Sequence, residues 1–491
     1  MSIRIHNSLS GNKEEFHPLK PKEIKMYACG PTVYDEPHIG HARSAYIFDV
    51  IRKYLTYKGY KVKFVRNVTD VDDKIINKAK EEFPGEDLNS SFKKVADKYL
   101  TSYHQALKSL GIGEDGIIEP KASEYIPKML IFIQGLIERG AAYVSGGDVY
   151  FDITKAKNYG KLSNQSLEKM ESGVRLAPNE NKRNALDFAL WKSAKENEPS
   201  WDSPWGKGRP GWHIECSVMS SDILGEEFDI HGGGIDLIFP HHENEVAQSE
   251  AAGEKFARYW IHHGLLTING QKMSKSLGNF VTVQSFLDKY KSADLLKLLF
   301  LSTHYSHPVD FTEDKIREAE KQKDSFDAFF QKVSTWKQFW NYWVSQPKLV
   351  SLKKKIKTPF SNKDKHMVDL ISESFGKTMD DDFNTPKALG HLFELIDLGL
   401  RFISSDTEDG FNYVAGLLNK FFNLFGISVI DHVLSEEELA LSVSVEIARA
   451  EKDYNKSDEL RSAAITDHNI VICNTASSIT INVAKTYKIQ K

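Results

Sequence analysis

The N-terminal part of the chain changes its hydrophobic pattern twice. Residues 24–29 form a short apolar run that stops at a Gly-Pro pair, which is typical of a buried strand. After Pro37, apolar residues recur with the spacing of one helical face as far as Gly59, a plausible helix stop. Residues 61–65 then have the pattern of a second strand. This is a βαβ unit, so we expect a parallel sheet that binds ligands at the carboxyl ends of its strands. The helical face consists of Ile47, Ile51, Tyr54 and Leu55.

The pattern that follows predicts an interrupted sheet domain. Residues 85–145 are mostly helical, and the next stretch is rich in Gly, Asn and charged residues, which predicts an insertion between two halves of the sheet. The α/β pattern resumes at residues 228–231. Pro240 then opens a predicted helix over residues 241–252, which Gly253 closes.

The C-terminal part has a different pattern. From about residue 313 onward helical spacing dominates, and a strand signal returns at residues 470–472. We therefore predict a helical bundle to about residue 430 and a small mixed tail. The predicted fold class is α/β: a parallel-sheet domain with an insertion, followed by an α-helical bundle and a small mixed C-terminal domain.

Composition excludes several classes of protein. A chain of 491 residues is too long for one core, and 41% hydrophobic with 27% charged residues is ordinary for a globular protein. No apolar run approaches the ~20 residues that span a bilayer, and the N-terminus lacks a signal-peptide pattern. Three cysteines cannot form a disulfide framework, which favours a reducing compartment and a cytoplasmic location. The net charge of −4 means that a polyanionic partner would need a local basic surface.

A tetrapeptide at the first strand-to-helix junction, His38-Ile39-Gly40-His41, suggests a phosphate site. Backbone N–H groups are unpaired at a helix start and the helix dipole attracts anions, so a nucleotide triphosphate can bind there. Imidazoles three residues apart lie on one helical face and can donate to phosphate oxygens. Gly40 lacks a Cβ, which lets the adenine or ribose approach the backbone.

A second motif, Lys272-Met273-Ser274-Lys275-Ser276, is followed closely by Gly278. Two lysines in a mobile loop can close onto the α-phosphate and the leaving pyrophosphate in the transition state. Together, in this order and on these predicted elements, the two motifs resemble the HIGH and KMSKS signatures of class I aminoacyl-tRNA synthetases. That resemblance implies a Rossmann-like catalytic domain.

Thiol, imidazole and carboxyl groups raise the question of a metal site. Cys29 ends the first strand, Cys216 follows a Trp-His-Ile-Glu run, and His241 and Glu245 share one side of a predicted helix. Two cysteines without a CxxC spacing are also typical of inert buried thiols, so the spacing alone leaves both interpretations open.

Longer blocks of sequence resemble one family of these enzymes, the cysteinyl-tRNA synthetases. The resemblance extends from about Ile5 to at least Arg461. The blocks that resemble family hallmarks are residues 27–34, 67–74, 182–184, 211–216, 231–234 and 240–245. In that family the positions matching Cys29, Cys216, His241 and Glu245 hold one zinc ion per subunit, and the substrate thiolate is a further ligand. Zinc prefers a soft thiolate to a hydroxyl, so the metal can reject serine without an editing domain.

The resemblance also implies the remaining site and the reaction. Cysteine attacks the ATP α-phosphate, with Mg²⁺ on the leaving pyrophosphate, and a ribose 2′-OH of tRNA(Cys) then attacks the cysteinyl-adenylate. The expected catalytic residues are His38, His41, Lys272 and Lys275. The expected ATP-binding residues are Gly40, His38, His41 and Lys275. The expected substrate-binding residues are Thr69, Trp212, His231 and Asp236.

The C-terminal third resembles the family as well, at residues 379–386 and 454–461, but it departs from the pattern after Val471. Residues 473–480 lack the tryptophan that the family commonly has in this turn, which leaves the anticodon contacts undefined. We expect a monomer with no membrane partner. The predicted segments are the first half of the catalytic domain (1–115), a connective insertion (116–210), the second half (211–265), the KMSKS loop and stem-contact region (266–330), a tRNA-binding helical bundle (331–430) and an anticodon-recognition domain (431–491).

Three other functions fit parts of this pattern. A related ligase joins cysteine to an amino-sugar, but it would lack the anticodon region. A non-catalytic tRNA-binding relative should have lost part of the nucleotide motifs or of the metal set, and both are present. A class I synthetase for another amino acid would leave Cys29 and Cys216, with His241 and Glu245, unexplained.

Overall fold

The computed structural model describes residues 2–113, 116–166, 181–274, 277–345, 357–474 and 479–483. The described residues divide into two compact units. The first consists of Met1–Lys291, Tyr305–Phe311 and Asp381–Phe383. Its strands in chain order are β1 (Arg4–Asn7), β2 (Asn12–Glu15), β3 (Glu23–Ala28), β4 (Lys61–Arg66), β5 (Ile117–Ile118), β6 (Ala142–Ser145), β7 (Asp148–Phe151), β8 (Phe188–Ser193), β9 (Gly208–Pro210), β10 (Glu227–Gly234), β11 (Phe256–His263), β12 (Leu266–Ile268), β13 (Gln271–Lys272) and β14 (Val309–Phe311).

A parallel sheet in the order β11–β10–β3–β4–β5 forms the centre of this unit. β3 and β4 pair in parallel along their whole length, which confirms the predicted βαβ unit. β4 and β5, which follow β3 in the chain, lie on one side of it, and β10 and β11 lie on the other. The strand order therefore reverses between β3 and β10, and in open α/β sheets ligands bind at the carboxyl side of such a point.

Smaller sheets flank the central one. β1 and β2 form a hairpin, and β12 pairs with β13 on one side and with β14 on the other. The predicted insertion contains an antiparallel sheet in the order β6–β7–β8–β9, which the sequence analysis did not predict. Its strands are short and are separated by polar, glycine-containing segments, so the alternation of apolar residues is interrupted before it becomes a clear signal.

Helices cover the sheet of the first unit. The α-helices are Ile39–Tyr57, Asp73–Glu82, Leu88–Ser109, Ile126–Glu138, Trp212–Leu224, Glu243–Ala252 and Val283–Tyr290. The 3₁₀ turns are Ala122–Tyr125, Ile153–Lys155 and Ile235–Leu237, and a π-helical turn spans Ile238–His242. The helix predicted to begin at His241 begins instead at Glu243, because the π turn precedes it. Gly59 has φ of 90° just after the first helix, as expected of a helix stop.

The second unit consists of Ser292–His304, Thr312–Asp380 and Asn384–Lys491. Its α-helices are Ala293–Leu301, Glu313–Val344, Asn362–Asp380, Thr385–Ser404, Glu408–Phe425, Glu436–Ala450 and Tyr454–His468, and its strands are β15 (Ile470–Asn474) and β16 (Ile479–Val483). Phe339 and Trp343 of the long helix pack with Val445 and Ile470 in a separate core. The predicted helical dominance and late strand are confirmed. Within the described part of the chain, every helix is too short or too polar to cross a membrane.

Candidate active site

Cys29 lies at the carboxyl end of β3, where the strand order reverses. Its N–H donates to the carbonyl oxygen of Gly232 in β10 (3.0 Å), which extends the pairing of the two strands by one residue. A Cβ on the next residue, Gly30, would lie 1.7 Å from the carbonyl oxygen of Asn67. The Gly30 N–H also donates to Asn67 Oδ1 at 2.8 Å. Close packing against Asn67 therefore fixes the position from which the Cys29 thiol projects.

Three other elements bring ligand-type side chains to Cys29. Cys216 lies on the helix Trp212–Leu224, His241 in the π turn and Glu245 on the helix that follows it. The two Sγ atoms are 3.6 Å apart, and Cys29 Sγ lies 3.7 Å from Glu245 Oε1. His241 Nε2 lies 3.0 Å from the same Oε1. The ligand atoms of all four residues lie within 4.8 Å of one another. The structure thus brings together the whole predicted metal set.

A second group overlaps with this set. It consists of Cys29, Glu245, His231 and His242, again with ligand atoms within 4.8 Å of one another. His242 Nε2 lies 3.3 Å from Cys29 Sγ, and His231 Nε2 lies 2.7 Å from Glu245 Oε2. Cys216 is the residue that separates the two groups chemically, because only the first group contains two thiols.

Burial controls the protonation of this cluster. It raises the pKa of the Cys29 thiol, and Cys216 and Glu245 raise it further. Burial likewise raises the pKa of Cys216 and of Glu245, and it lowers the pKa of His241. The cluster alone therefore favours neutral groups. A dication would stabilise the deprotonated forms of the thiols and the carboxyl group at this position. Sulfur, nitrogen and carboxylate oxygen are the donors that zinc takes, so the residues fit such an ion.

Further histidines orient the cluster. His241 Nδ1 lies 2.9 Å from His213 Nδ1, which leaves His241 Nε2 facing Glu245. On the other side, His242 Nδ1 lies 2.8 Å from His262 Nε2. His262 Nδ1 lies in turn 2.7 Å from Ser8 Oγ. Such outer contacts hold an imidazole in one tautomer and one orientation.

The four predicted substrate residues lie in different surroundings. Trp212 is 38% exposed and stacks on His241, with ring centroids 4.0 Å apart, so it forms a wall next to the cluster. Thr69 is buried and donates to Glu215 Oε2 at 2.7 Å. His231 is buried and stacks on Trp260 at 4.4 Å. Asp236 is exposed in the 3₁₀ turn that follows β10.

His38 is the N-cap of the helix Ile39–Tyr57, here called the HIGH helix. Its Nδ1 accepts from the N–H groups of Gly40 (3.1 Å) and His41 (3.3 Å), and His41 Nδ1 accepts from the His38 N–H at 3.4 Å. The two rings stack with centroids 3.6 Å apart. Burial lowers the pKa of His38 to about 4 and lowers that of His41 as well. Both rings are therefore neutral at pH 7, and because Nδ1 accepts, the ring proton is on Nε2.

This geometry corrects one expectation about the phosphate site. We expected unpaired backbone N–H groups at the start of the HIGH helix, but His38 accepts from two of them and the Ile39 N–H donates to the carbonyl oxygen of Val281 at 3.1 Å. Gly40 is also packed closely: a Cβ there would lie 2.9 Å from the His38 ring and 3.6 Å from Met273 Cε. The two signature motifs are therefore adjacent in the structure.

Residues 264–274 and 277–283 are here called the KMSKS arm. β12 and β13 are joined by a two-residue turn, Asn269 and Gly270, with φ of 50° and 76°. Lys272 is exposed on β13, and its carbonyl oxygen accepts from Asn279 Nδ2 at 3.2 Å. Lys275 and Ser276 lie outside the described residues.

Comparison with known proteins identifies the family. Residues 15–321 match the tRNA synthetases class I (C) catalytic domain, and residues 374–429 match the DALR domain. A cysteine–tRNA ligase of Persephonella marina is 50% identical over 400 residues, which cover 81% of this chain and 77% of the relative. One of Thermodesulfovibrio yellowstonii is 46% identical over 483 residues, which cover 94% and 95%. The chain belongs to the cysteine–tRNA ligase family. The resemblance inferred from the sequence blocks is thereby confirmed.

Solved structures support the fold of this ligase family member. A methionyl-tRNA synthetase of Mycobacterium tuberculosis, in complex with methionyl-adenylate, superposes with a TM-score of 0.57 at 13% identity. The match covers 90% of this chain and 93% of the synthetase. At this identity the similarity concerns the fold alone, and it agrees with the predicted α/β class.

Some site residues of the ligase were not predicted from the sequence. His213, His242 and His262 contact the cluster or its ligands, and the sequence analysis assigns a role to none of them. The signal for His242 was its place three residues before Glu245, which puts both side chains on one face of a helix. The contact between His262 and His242 could not be predicted, because it joins a strand to a turn and no sequence pattern indicates such a contact.

Proposed function

We propose that this chain joins L-cysteine to tRNA(Cys) with ATP, through a cysteinyl-adenylate. The observation that carries the proposal is the pair of thiols, Cys29 and Cys216, held 3.6 Å apart with His241 and Glu245 at the carboxyl end of the central sheet. In a class I synthetase this is where ligands bind, so the pair lies where an amino-acid side chain would be selected. Family membership makes cysteine the substrate.

Cys29, Cys216, His241 and Glu245 would hold a zinc ion. Zinc supplies, when bound, a preference for a soft thiolate over a neutral hydroxyl. The preference matters because cysteine and serine differ by one atom, and packing discriminates such pairs by only ~1–3 kcal/mol. We choose this set over the one with His231 and His242 because it contains two thiols, which suit zinc better than one.

The nucleotide motifs would activate the amino acid. His38 and His41 have the ring proton on Nε2, so each can donate to a phosphate oxygen without first gaining a charge. Lys272 and Lys275 would neutralise the charge that develops as pyrophosphate leaves, accompanied by Mg²⁺. Gly40 allows the first turn of the HIGH helix to pack closely beside the nucleotide.

The amino-acid pocket would lie between the cluster and the indole of Trp212. The ring stacks on His241, so it can exclude water from one side of a bound side chain. Thr69 and His231 would support the site through Glu215 and Glu245, which they contact. Asp236 would pair with the α-amino group of cysteine, since its carboxylate is exposed beyond β10.

The second unit would bind tRNA. It contains the DALR domain match at residues 374–429, except for residues 381–383, within the predicted helical bundle. We retain the predicted six-segment division, the anticodon-recognition role of residues 431–491, a monomeric state and a cytoplasmic location as parts of this proposal.

The experiment is transfer of labelled cysteine to tRNA(Cys), run beside ATP–pyrophosphate exchange with cysteine or serine. We expect both reactions with cysteine and no exchange with serine, with one zinc per chain by atomic emission. Exchange with cysteine but no transfer to tRNA would overturn the assignment of the tRNA substrate. Exchange with serine as fast as with cysteine would overturn selection by the metal cluster.

A further inference from the structure

A buried arginine lies one turn into the HIGH helix. Arg43 is 1% exposed, and its two terminal nitrogens donate to backbone carbonyl oxygens of distant segments. Nη1 donates to Gly264 at 2.5 Å and to Leu265 at 2.7 Å, while Nη2 donates to His307 at 2.6 Å and to Tyr305 at 3.2 Å. These four acceptors are neutral. Burial lowers the pKa of Arg43 to about 10, so the group is still charged at pH 7.

Burying a guanidinium costs free energy, which its hydrogen bonds to these carbonyl oxygens offset, and those same bonds join separate segments of the chain. The segments that Arg43 joins are the start of the KMSKS arm and the residues leading into β14. They approach closely: a Cβ on Gly264 would lie 2.3 Å from the carbonyl carbon of His307. The Gly264 N–H also donates to the Tyr305 carbonyl oxygen at 2.9 Å. Arg43 therefore fastens one end of the arm to the HIGH helix.

The other end of the arm returns to the same helix. The Val283 N–H donates to the Pro37 carbonyl oxygen at 2.9 Å, and the Ile39 N–H donates to that of Val281 at 3.1 Å. Residues 38 and 282 form an isolated antiparallel bridge between these bonds. The arm is therefore attached to the HIGH helix at both ends, by backbone pairing at one and by a single side chain at the other.

We propose that Arg43 is the positioning residue of the KMSKS arm, which holds the base of the arm so that Lys272 faces the same phosphates as His38 and His41. This inference rests on the proposed function, because it assumes that the two motifs act on one ATP. Arg43 follows the HIGH motif in the helix, and it would act by holding backbone carbonyl groups at the base of the arm. The metal cluster does not use it, so selection of cysteine should not depend on it.

The arrangement requires an arginine. The guanidinium presents its N–H groups in a fixed fork, with one terminal nitrogen toward each of two segments. A lysine has a single terminal nitrogen with three N–H groups. It therefore cannot donate to the four carbonyl oxygens that lie around the two terminal nitrogens of Arg43. Arg43→Lys should thus preserve the charge and lose the attachment.

The experiment compares Arg43→Lys and Arg43→Ala with the wild type and with Arg52→Lys. Arg52 lies on the same helix and pairs with Asp49 at 2.7 Å, so its variant makes the same change of residue type at an ion pair within the helix. For each protein we would measure kcat and KM in ATP–pyrophosphate exchange, the Kd of cysteine without ATP, zinc content, and trypsin cleavage after Lys272.

We expect both Arg43 variants to lose between about tenfold and about 100-fold in kcat, the range expected when a catalytic group is misplaced by ~1 Å. Cysteine Kd and zinc content should stay within twofold, and cleavage after Lys272 should become faster. Millimolar guanidinium should partly restore kcat to Arg43→Ala, because a free ion can occupy the space that the side chain leaves.

Other results would overturn the inference. Equal losses in kcat, cysteine affinity and zinc content would make Arg43 a general stabilising residue. Wild-type kcat in Arg43→Lys would show that the fork is not needed. If Arg43→Ala does not fold, Arg43→Lys alone decides between these outcomes. A wild type without cysteine-dependent exchange would instead refute the proposed function, so the two failures are distinguishable.

Discussion

The metal cluster and the KMSKS arm are built in opposite ways. The ligand atoms of the cluster project from a strand end, a helix and a π turn with its following helix, and outer contacts fix two of its imidazoles. Lys272, by contrast, is exposed on a two-residue strand. The side chains proposed to select the amino acid are thus brought together by several elements without substrate. The lysine proposed to act on the transition state lies instead on an exposed hairpin, of which only the other strand, β12, pairs with β14. Selection and catalysis should therefore fail separately when each is altered.

The largest effect should come from the cluster itself. Cys216→Ser replaces the second thiol with a hydroxyl, a poor zinc ligand, so we expect most of the zinc to be lost. The kcat/KM for cysteine should fall by more than ~100-fold, beyond the ~10–100-fold typical of a change in an outer contact. Atomic emission and pyrophosphate exchange would measure both.

The matched control is Cys473→Ser, which removes the thiol of β15 in the second unit. It should keep its zinc and its exchange activity. Zinc retention by Cys216→Ser would contradict the assignment of the ligand set and favour the group with His231 and His242.

The next effect should come from the arm. Lys272→Ala removes the cation proposed to act on the departing pyrophosphate, so kcat for exchange should fall by about 100-fold, as for the loss of one electrostatic donor. The Kd of cysteine measured without ATP should not change. The exposed Lys207→Ala is the control. A parallel loss of cysteine affinity would show that the arm and the cluster are not separate.

A smaller effect should follow from the outer contacts. His213→Leu removes the nitrogen that lies 2.9 Å from His241 Nδ1. His241 can then rotate, and zinc affinity should weaken by ~10–100-fold while kcat at saturating zinc changes less. Competition with a chelator would measure the affinity, and the exposed His17→Asn is the control. Unchanged affinity would mean that His241 keeps its orientation without the contact from His213.

The smallest effect concerns pH and the start of the HIGH helix. The pKa of His38 is about 4 when folded and ~6.5 when unfolded, so between these values only the unfolded chain gains the proton. The stabilisation from neutral His38 is present above ~6.5 and is lost as the pH falls toward 4. His38→Asn retains an N-cap without titrating, so its unfolding free energy should depend less steeply on pH, by up to ~1.4 kcal/mol per pH unit.

Urea unfolding of both proteins at pH 5 and pH 7, followed by near-ultraviolet circular dichroism, would measure this difference. Identical pH dependence would contradict the buried, neutral state of His38.

Much of this structure could be predicted because its signals are local. The strand before Cys29, the helix after Pro37 and the spacing of His241 and Glu245 each depend on residues close in sequence. The role of Arg43 could not be predicted, since its acceptors lie more than 200 residues away and are backbone atoms, which the sequence does not distinguish. The sheet of the insertion was missed for a different reason: β8 and β9 are separated by a polar segment that hides their pairing.

The turn at Asn269 and Gly270 has a consequence for how relatives of this protein can diverge. The turn lies at the tip of the β12–β13 hairpin, and a Cβ on Gly270 would meet no atom within 4 Å. Residues inserted there extend the tip into open space. At Gly264 an added methyl group would already collide with the neighbouring backbone. Inherited changes in length should therefore accumulate at the tip, while the base keeps its residues.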